Sequence, residues 1–273
     1  MAACVVASLL VGCAAVPPPS PAAPVTERAS APGVVIPLYV YPGGDGGRAW
    51  DAVAASARQG TDLPMIVVVN PDNGPGARTD SNYRSRTQEL ADAGLELVAY
   101  VALGYGHRPA SEIRADLRRW RRLYRSVTGV FFDEVPVPGD HLTRRDAQRY
   151  LRDLTTYARG RGLSGTVIGN PGTPAPPEYF GPEIFDLVVV HEERRWPDPE
   201  ALEGIPSPER SVVLVYGNGV WDRTRAQHII EAGRYLFVDD HARDITGTGS
   251  SPWTFFPYNL PEQLELLWDL GYI

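Results

Sequence analysis

The feature that most limits what this chain can fold into is a series of eight short, almost wholly apolar segments separated by helix-like sequence. They cover residues 35–41, 65–70, 95–103, 129–133, 166–170, 187–191, 211–216 and 235–239. None alternates apolar with polar residues, as a strand with one wet face would. Strands of this kind are expected in a parallel sheet buried on both faces. Between them, residues 49–58, 83–93, 111–125, 144–161 and 223–232 carry apolar positions at helical spacing, and 260–270 closes the chain as an amphipathic helix with Pro261 in its first turn. Thr143 followed by Asp146, and Ser111 ahead of an arginine-rich stretch, are expected N-caps. The links after the fifth and sixth segments leave room only for short helical pieces. Eight β–α units over residues 34–273 predict one α/β domain, a single (β/α)8 TIM barrel. An open doubly wound sheet is the alternative.

Two pieces precede that domain. Residues 2–16 form an apolar run too short to span a bilayer as a helix. It contains Leu10-Val11-Gly12-Cys13, which resembles the lipobox of bacterial lipoproteins. The resemblance implies that residues 1–12 are a signal peptide, that Cys13 is lipidated, and that the exported protein meets a membrane only through that lipid anchor. No basic residue stands before the apolar run, where export signals usually carry one. Residues 13–33 are rich in proline and alanine and read as an extended tether.

Several chemistries are excluded by what the chain lacks. Its formal net charge is −7, whereas a nucleic-acid partner calls for a basic footprint. All 26 basic residues are arginine, so no lysine nucleophile and no P-loop lysine exist. The two cysteines, Cys4 and Cys13, both precede the domain, which therefore has no thiol chemistry. There is no G-x-S-x-G elbow. The five histidines form no i,i+4 pair, and Asp239-Asp240-His241 has no partnering histidine pair, so no metal or other cofactor is expected. The domain is expected to be monomeric.

In a TIM barrel the active site lies at the C-terminal ends of the strands. Polar and aromatic residues gather there: Tyr39 and Tyr41, then Asn70 and Asn73, then Tyr105, His107 and Arg108. Asp133-Glu134 follows the fourth segment, Asn170 the fifth, His191-Glu192-Glu193 the sixth, Tyr216 and Asn218 the seventh, and Asp239-Asp240-His241 the eighth. Asp133 and Glu134 are the sharpest signal, because burying an unpaired carboxylate at a strand end is costly. Glycoside hydrolysis needs two carboxyl groups flanking the scissile bond. Glu192 or Glu193 supplies the second; neighbours on a strand point to opposite faces, so one of the pair is expected to face the axis. The other polar and aromatic positions are candidates for binding a polysaccharide. The gathered acids predict a preference for a neutral or cationic polymer. A polysaccharide-binding protein without turnover, or a metal-dependent deacetylase, are the competing readings.

Ile36-Pro37-Leu38-Tyr39-Val40-Tyr41-Pro42, Asn70-Pro71-Asp72-Asn73-Gly74-Pro75-Gly76, Gly104-Tyr105-Gly106-His107-Arg108, Gly129-Val130-Phe131-Phe132-Asp133-Glu134 and Asn170-Pro171-Gly172-Thr173 together resemble the spherulin-4-like family. That resemblance implies a (β/α)8 barrel. It also implies a glycoside hydrolase of the family 135 type, cutting α-1,4-linked N-acetylgalactosamine in galactosaminogalactan, a biofilm exopolysaccharide. It carries the roles of nucleophile to Asp133 and acid/base to Glu192, with Glu134 holding or tuning the pair. The acid beside Glu192, Glu193, leaves the choice between the two glutamates to the structure.

Overall fold

The computed structural model describes residues 32–58, 63–139, 141–217, 220–240, 252–254, 257 and 259–272. The signal segment, Cys13 and nearly all of the tether lie outside the described residues, as do Asn218 and His241.

All eight apolar segments form strands: β1 (Val34–Leu38), β2 (Met65–Val69), β3 (Glu96–Ala102), β4 (Gly129–Asp133), β5 (Val167–Gly169), β6 (Leu187–Glu193), β7 (Ser211–Val215) and β8 (Tyr235–Val238). They pair in parallel and in chain order. The Leu236 N–H donates to the Gly33 carbonyl at 3.0 Å, bringing β8 back to the start of β1. The sheet thereby curls into a (β/α)8 barrel, as the sequence pattern predicts. Residues in β1, β2, β7 and β8 are all buried, which explains why these runs are apolar at every position.

The helices pack outside: α1 (Gly47–Ala57), α2 (Ser81–Asp92), α3 (Ala110–Leu123), α4 (Arg144–Arg159), the short α5 (Pro199–Glu203), α6 (Arg223–Glu231) and α7 (Leu260–Asp269). In α3 the buried residues Ile113, Asp116, Leu117 and Trp120 recur at three- and four-residue intervals, which leaves its arginines on the outer face. The Trp120 indole N–H donates to the Tyr100 carbonyl at 3.0 Å, fixing α3 against β3. Thr143 caps α4 by accepting from the Asp146 N–H at 3.2 Å. Ser111, expected to cap α3, lies inside that helix instead. Its N-cap position is Pro109, which has no side-chain acceptor. The proline terminates the preceding turn through its fixed backbone rather than through a capping oxygen.

At the end of the barrel opposite the strand termini, Glu96 at the start of β3 reaches across β4 to Thr166. It accepts from the Thr166 N–H at 2.6 Å and from its hydroxyl at 2.9 Å. Gly129 sits where these elements converge. An added Cβ there would meet the Thr166 carbonyl oxygen at 2.3 Å and Val98 Cγ1 at 2.7 Å. Gly204, by contrast, has nothing within 4 Å of an added Cβ. Gly129→Ala is therefore expected to destabilise by about 1–3 kcal/mol. That corresponds to a melting temperature lower by about 2–4 °C per kcal/mol for a domain near this size. Gly204→Ala is expected to melt with the wild type. Thermal unfolding followed by circular dichroism of both variants checks this, and equal melting of all three proteins would contradict it.

Candidate active site

The register of the sheet determines which side chains face the barrel axis. Tyr100 pairs with Phe131, Ala102 with Asp133, and Phe131 with Ile168. Aligned residues on parallel neighbours share a face, so Tyr100, Phe131 and Asp133 share one. Asn170, one residue past β5, continues the same alternation. β6 breaks it. Val189 pairs with Val212 but His191 pairs with Val213, so Val190 is an extra, bulged residue. Without the bulge, His191 would share the face of Val189 and Glu192 would point outward. With it, Glu192 aligns with Leu214 and turns inward, while His191 and Glu193 turn out. The structure thus separates the two glutamates that sequence alone left open.

The inward residues form one hydrogen-bonded cluster. Asp133 Oδ2 accepts from the Tyr100 hydroxyl at 2.7 Å. Asn170 Nδ2 donates both to Asp133 Oδ1 at 2.9 Å and to Glu192 Oε2 at 2.5 Å. Glu192 Oε1 accepts from the Trp253 indole N–H at 2.8 Å. Because both oxygens bond one nitrogen, Asp133 Oδ1 and Glu192 Oε2 lie no further apart than the two lengths combined, about 5.4 Å. Asn170 is itself fixed, since its Oδ1 accepts from the Gly172 N–H at 3.2 Å.

Burial pushes the Asp133 carboxyl above the ordinary carboxylate range, against the opposing bonds from Tyr100, the Glu134 backbone N–H and Asn170. Burial also raises Glu192, and the neighbouring Asp133 charge raises it further, against the donors Trp253 and Asn170. The phenols are held protonated. Tyr39 and Tyr100 are raised by burial and then by the Asp133 charge, and Tyr105 by burial and then by Glu134.

Aromatic rings surround the carboxyls. Tyr39 lies edge-on to Tyr100 with centroids 5.7 Å apart, and Tyr216 edge-on to Trp253 at 5.5 Å. Trp253, at the centre of the short turn Pro252–Thr254, is also tilted against Phe237 on β8 and accepts from the Tyr39 N–H through its carbonyl. Asp239, one residue past β8, is buried, and its N–H donates to the Val215 carbonyl at 2.8 Å.

Glu134 does not join the hydrogen-bonded cluster through its side chain. It holds a left-handed backbone (φ 51°), and so does Tyr105 (φ 51°), whose N–H donates to the Glu134 carbonyl at 2.7 Å. Left-handed non-glycine residues cost about 1–3 kcal/mol each and persist only where their surroundings hold them. Here they tie the loop after β3 to the loop after β4. The Tyr105 ring is left about half exposed, at 48%, and within electrostatic reach of all three acids.

The remaining candidates make other contacts. The Tyr41 hydroxyl donates to Asp80 and accepts from Asn82 at the start of α2, and its ring is exposed. Asn70 Oδ1 accepts from the Gly74 N–H at 2.9 Å, so it braces the loop that carries the exposed Asn73 (φ 46°). His107 stacks on His141 with centroids 3.9 Å apart. The Arg108 guanidinium is committed to Asp116 on α3 and to the Ala102 carbonyl. His191, on the outer face of β6, contacts the Arg195 carbonyl at 2.7 Å. Glu193, counted among the acids of the mouth on sequence, faces the same outer side.

Sequence reasoning missed Tyr100 and Trp253. A tyrosine inside an otherwise apolar strand carried a signal, since its buried hydroxyl must find a partner. Trp253 carried none, standing beyond the last strand and far from any motif. Among the described residues no group of three or more His, Cys, Asp or Glu could hold a metal ion.

Barrel and cluster together define a (β/α)8 protein with a paired-carboxylate centre at the C-terminal mouth. The chain belongs to spherulation-specific family 4, Spherulin4, whose model matches residues 33–261. It is 30% identical to Spherulin-4 of Physarum polycephalum over 171 residues, 62% of this chain and 47% of that protein. It thus spans about half the length of that relative. Among solved structures it is similar to Aspergillus clavatus Sph3 in complex with GalNAc, with a TM-score of 0.72 at 26% identity, covering 87% of this chain and 98% of that one.

The raised carboxyls have a consequence for stability. A carboxyl raised on folding binds its proton more tightly in the native state, so stability falls as pH climbs from the ordinary carboxylate range through the raised value. At neutral pH the Asp133 charge therefore weighs against the fold. In Asp133→Asn the amide keeps an acceptor for Asn170, and the Tyr100 hydroxyl can turn to accept. The variant is expected to melt higher than wild type at pH 7, with the gain fading below about pH 4, where the carboxyl is neutral in both states. Calorimetry across pH checks this, and equal or lower melting at pH 7 would contradict it.

Proposed function

We propose that this protein is a retaining glycoside hydrolase acting on an amino-sugar polysaccharide. The observation that carries the reading is the pair of buried carboxyls, Asp133 and Glu192, bridged by one amide nitrogen and about 5.4 Å apart at most. Retaining glycosidases keep their carboxyls about 5–5.5 Å apart, while inverting ones need about 6.5–9.5 Å to admit a water between. The protonation pattern fits two roles. Burial raises both carboxyls, but Asp133 has three opposing donors against two for Glu192, and only Glu192 is raised further by its neighbour's charge. Environments that push two acids apart assign the base and the acid.

The chemistry follows in two displacements. Asp133 attacks the anomeric carbon as Glu192 gives its proton to the departing glycosidic oxygen, leaving a glycosyl ester on Asp133. Glu192, now a carboxylate, takes a proton from water as that water attacks the same carbon and frees Asp133. The net configuration is retained. Tyr39, Tyr105, Tyr216 and Trp253 would line the sugar site. Glu134 would act through its strained backbone, whose N–H supports Asp133. The substrate class is carried from the similar fungal protein, whose structure holds GalNAc. The family resemblance narrows it to endo-cleavage of α-1,4-linked N-acetylgalactosamine.

Incubation with that polymer should release new reducing ends, with the α-anomer formed first by NMR. Asp133→Asn and Glu192→Gln should each lower kcat by about 10²–10⁴-fold or more while remaining folded. In kcat/KM the alkaline limb should lie above the ordinary glutamate pKa of about 4.3, because the acid must be protonated and its value is raised. A first-formed β-anomer would remove Asp133 from the nucleophile role, and near-normal turnover in both variants would overturn the assignment.

Export and lipid anchoring through Cys13 belong to the same proposal, supported by the lipobox-like Leu10-Val11-Gly12-Cys13 and the Pro/Ala-rich stretch that follows. Cys13→Ser should move the full chain from the membrane fraction to the soluble fraction. Unchanged partition between the two would refute the anchor.

A further inference from the structure

Each oxygen of Glu192 has its own donor. Oε2 accepts from Asn170 Nδ2, which is shared with Asp133, and Oε1 accepts from the Trp253 indole N–H at 2.8 Å. A single bond from Asn170 would leave the carboxyl free to turn about that one oxygen. The second bond removes this freedom. A carboxyl held at both oxygens keeps one plane, and with it the direction in which a proton leaves or returns. Asp133 is held in the same way, by Asn170 at Oδ1 and by the Tyr100 hydroxyl at Oδ2.

The indole is braced from several strand ends. Its ring lies edge-on to Tyr216 after β7 and is tilted against Phe237 on β8. The Trp253 carbonyl accepts from the Tyr39 N–H after β1 at 3.3 Å. The residue is only 3% exposed, so little of its ring is left for a substrate to touch. A buried indole N–H needs an acceptor, and here that acceptor is one carboxyl of the proposed catalytic pair. Hydrogen bonds to an ionised acceptor are the stronger kind. The donor is also neutral, so it orients Glu192 without adding a positive charge that would ionise both acids.

The neighbouring charge that raises Glu192 is Asp133. The other ionisable groups about it are phenols: Tyr39 after β1, Tyr100 on β3, Tyr105 after β3 and Tyr216 after β7. All four are raised first by burial, so they are uncharged while the carboxyls titrate. Past the end of β8 stands the buried Asp239.

We propose that Trp253 is a positioning residue, whose indole N–H orients the Glu192 carboxyl for proton transfer. The proposal rests on the glycosidase reading, which makes Glu192 the acid/base. In the first displacement Glu192 gives its proton to the glycosidic oxygen, and the carboxylate that forms is met by Trp253 and Asn170. In the second, the same two bonds hold it while it takes a proton from water. Trp253 itself exchanges no proton.

Two replacements in the full chain remove the donor. Trp253→Phe keeps an aromatic ring. Benzothienylalanine at position 253 keeps the fused-ring shape with sulfur in place of the N–H, so the bond can be lost without losing the packing. Phe237→Leu, as a control, loosens the packing behind the indole and leaves the donor. The donor favours the carboxylate, so its removal should raise Glu192. NMR titration of the carboxyl carbon, assigned by comparison with Glu192→Gln, should place Glu192 about one pH unit higher in both donorless proteins, a tenfold gain in proton affinity. The alkaline limb of kcat/KM on α-1,4-linked N-acetylgalactosamine polymer should move up with it, and kcat should fall about 10–100-fold. Phe237→Leu should move neither the titration nor the limb. An unmoved titration in a folded donorless protein overturns the proposal. So does a loss of turnover that is equal at every pH, which would mark a purely structural role, or an equal shift in Phe237→Leu. A shifted titration in a protein whose wild type cleaves no such polymer keeps the hold of Trp253 on Glu192 and removes the glycosidase reading instead.

Discussion

Two carboxylates whose facing oxygens lie no more than about 5.4 Å apart repel each other by about 3 kcal/mol or more at an effective dielectric constant of 20. Both are also withdrawn from bulk water. The amide of Asn170 lies between them and donates to each, and the surrounding structure is arranged to keep it there. Its own oxygen is tied to the Gly172 N–H, and the far oxygens of the two acids are held by Tyr100 and Trp253. With both acids ionised the cluster carries two negative charges on neutral donors. With one proton shared, the repulsion is relieved. A site so built favours holding one proton between the two acids, the state that the proposed double displacement would use.

That cluster depends on strand geometry at three places. β4 delivers Asp133 inward on its last residue, and β5 delivers Asn170 one residue beyond its end. β6 delivers Glu192 only because of an extra residue at Val190. A bulge locally disrupts the ladder, and such irregularities are over-represented beside active sites, where they re-aim a side chain. Here one bulge both brings Glu192 to Asp133 and turns His191 and Glu193 to the outer side. The paired left-handed residues Glu134 and Tyr105 do comparable work between β3 and β4. Their strain is borne by a barrel whose opposite end is latched by Glu96 and closed around Gly129.

The sequence by itself determined the barrel. Eight apolar runs, each too uniformly hydrophobic for a half-exposed sheet, and the helical spacing between them leave few other ways to bury that much surface. It also placed Asp133, Asn170 and Glu192 at strand ends, because polar residues directly after buried strands must lie at the mouth. Sequence could not decide between Glu192 and Glu193, since a period of two fixes the facing of a strand only while the ladder is unbroken. Neither could it tell that Arg108 would be spent on Asp116, because an ion pair between a loop and a buried helix position depends on how the helix settles against the sheet. Trp253 lies 120 residues beyond Asp133 in the chain. Its bond to Glu192 arises only when the last turn folds back over the end of β8. Contacts made by closing the barrel have no local signature, and the tertiary structure alone decided them.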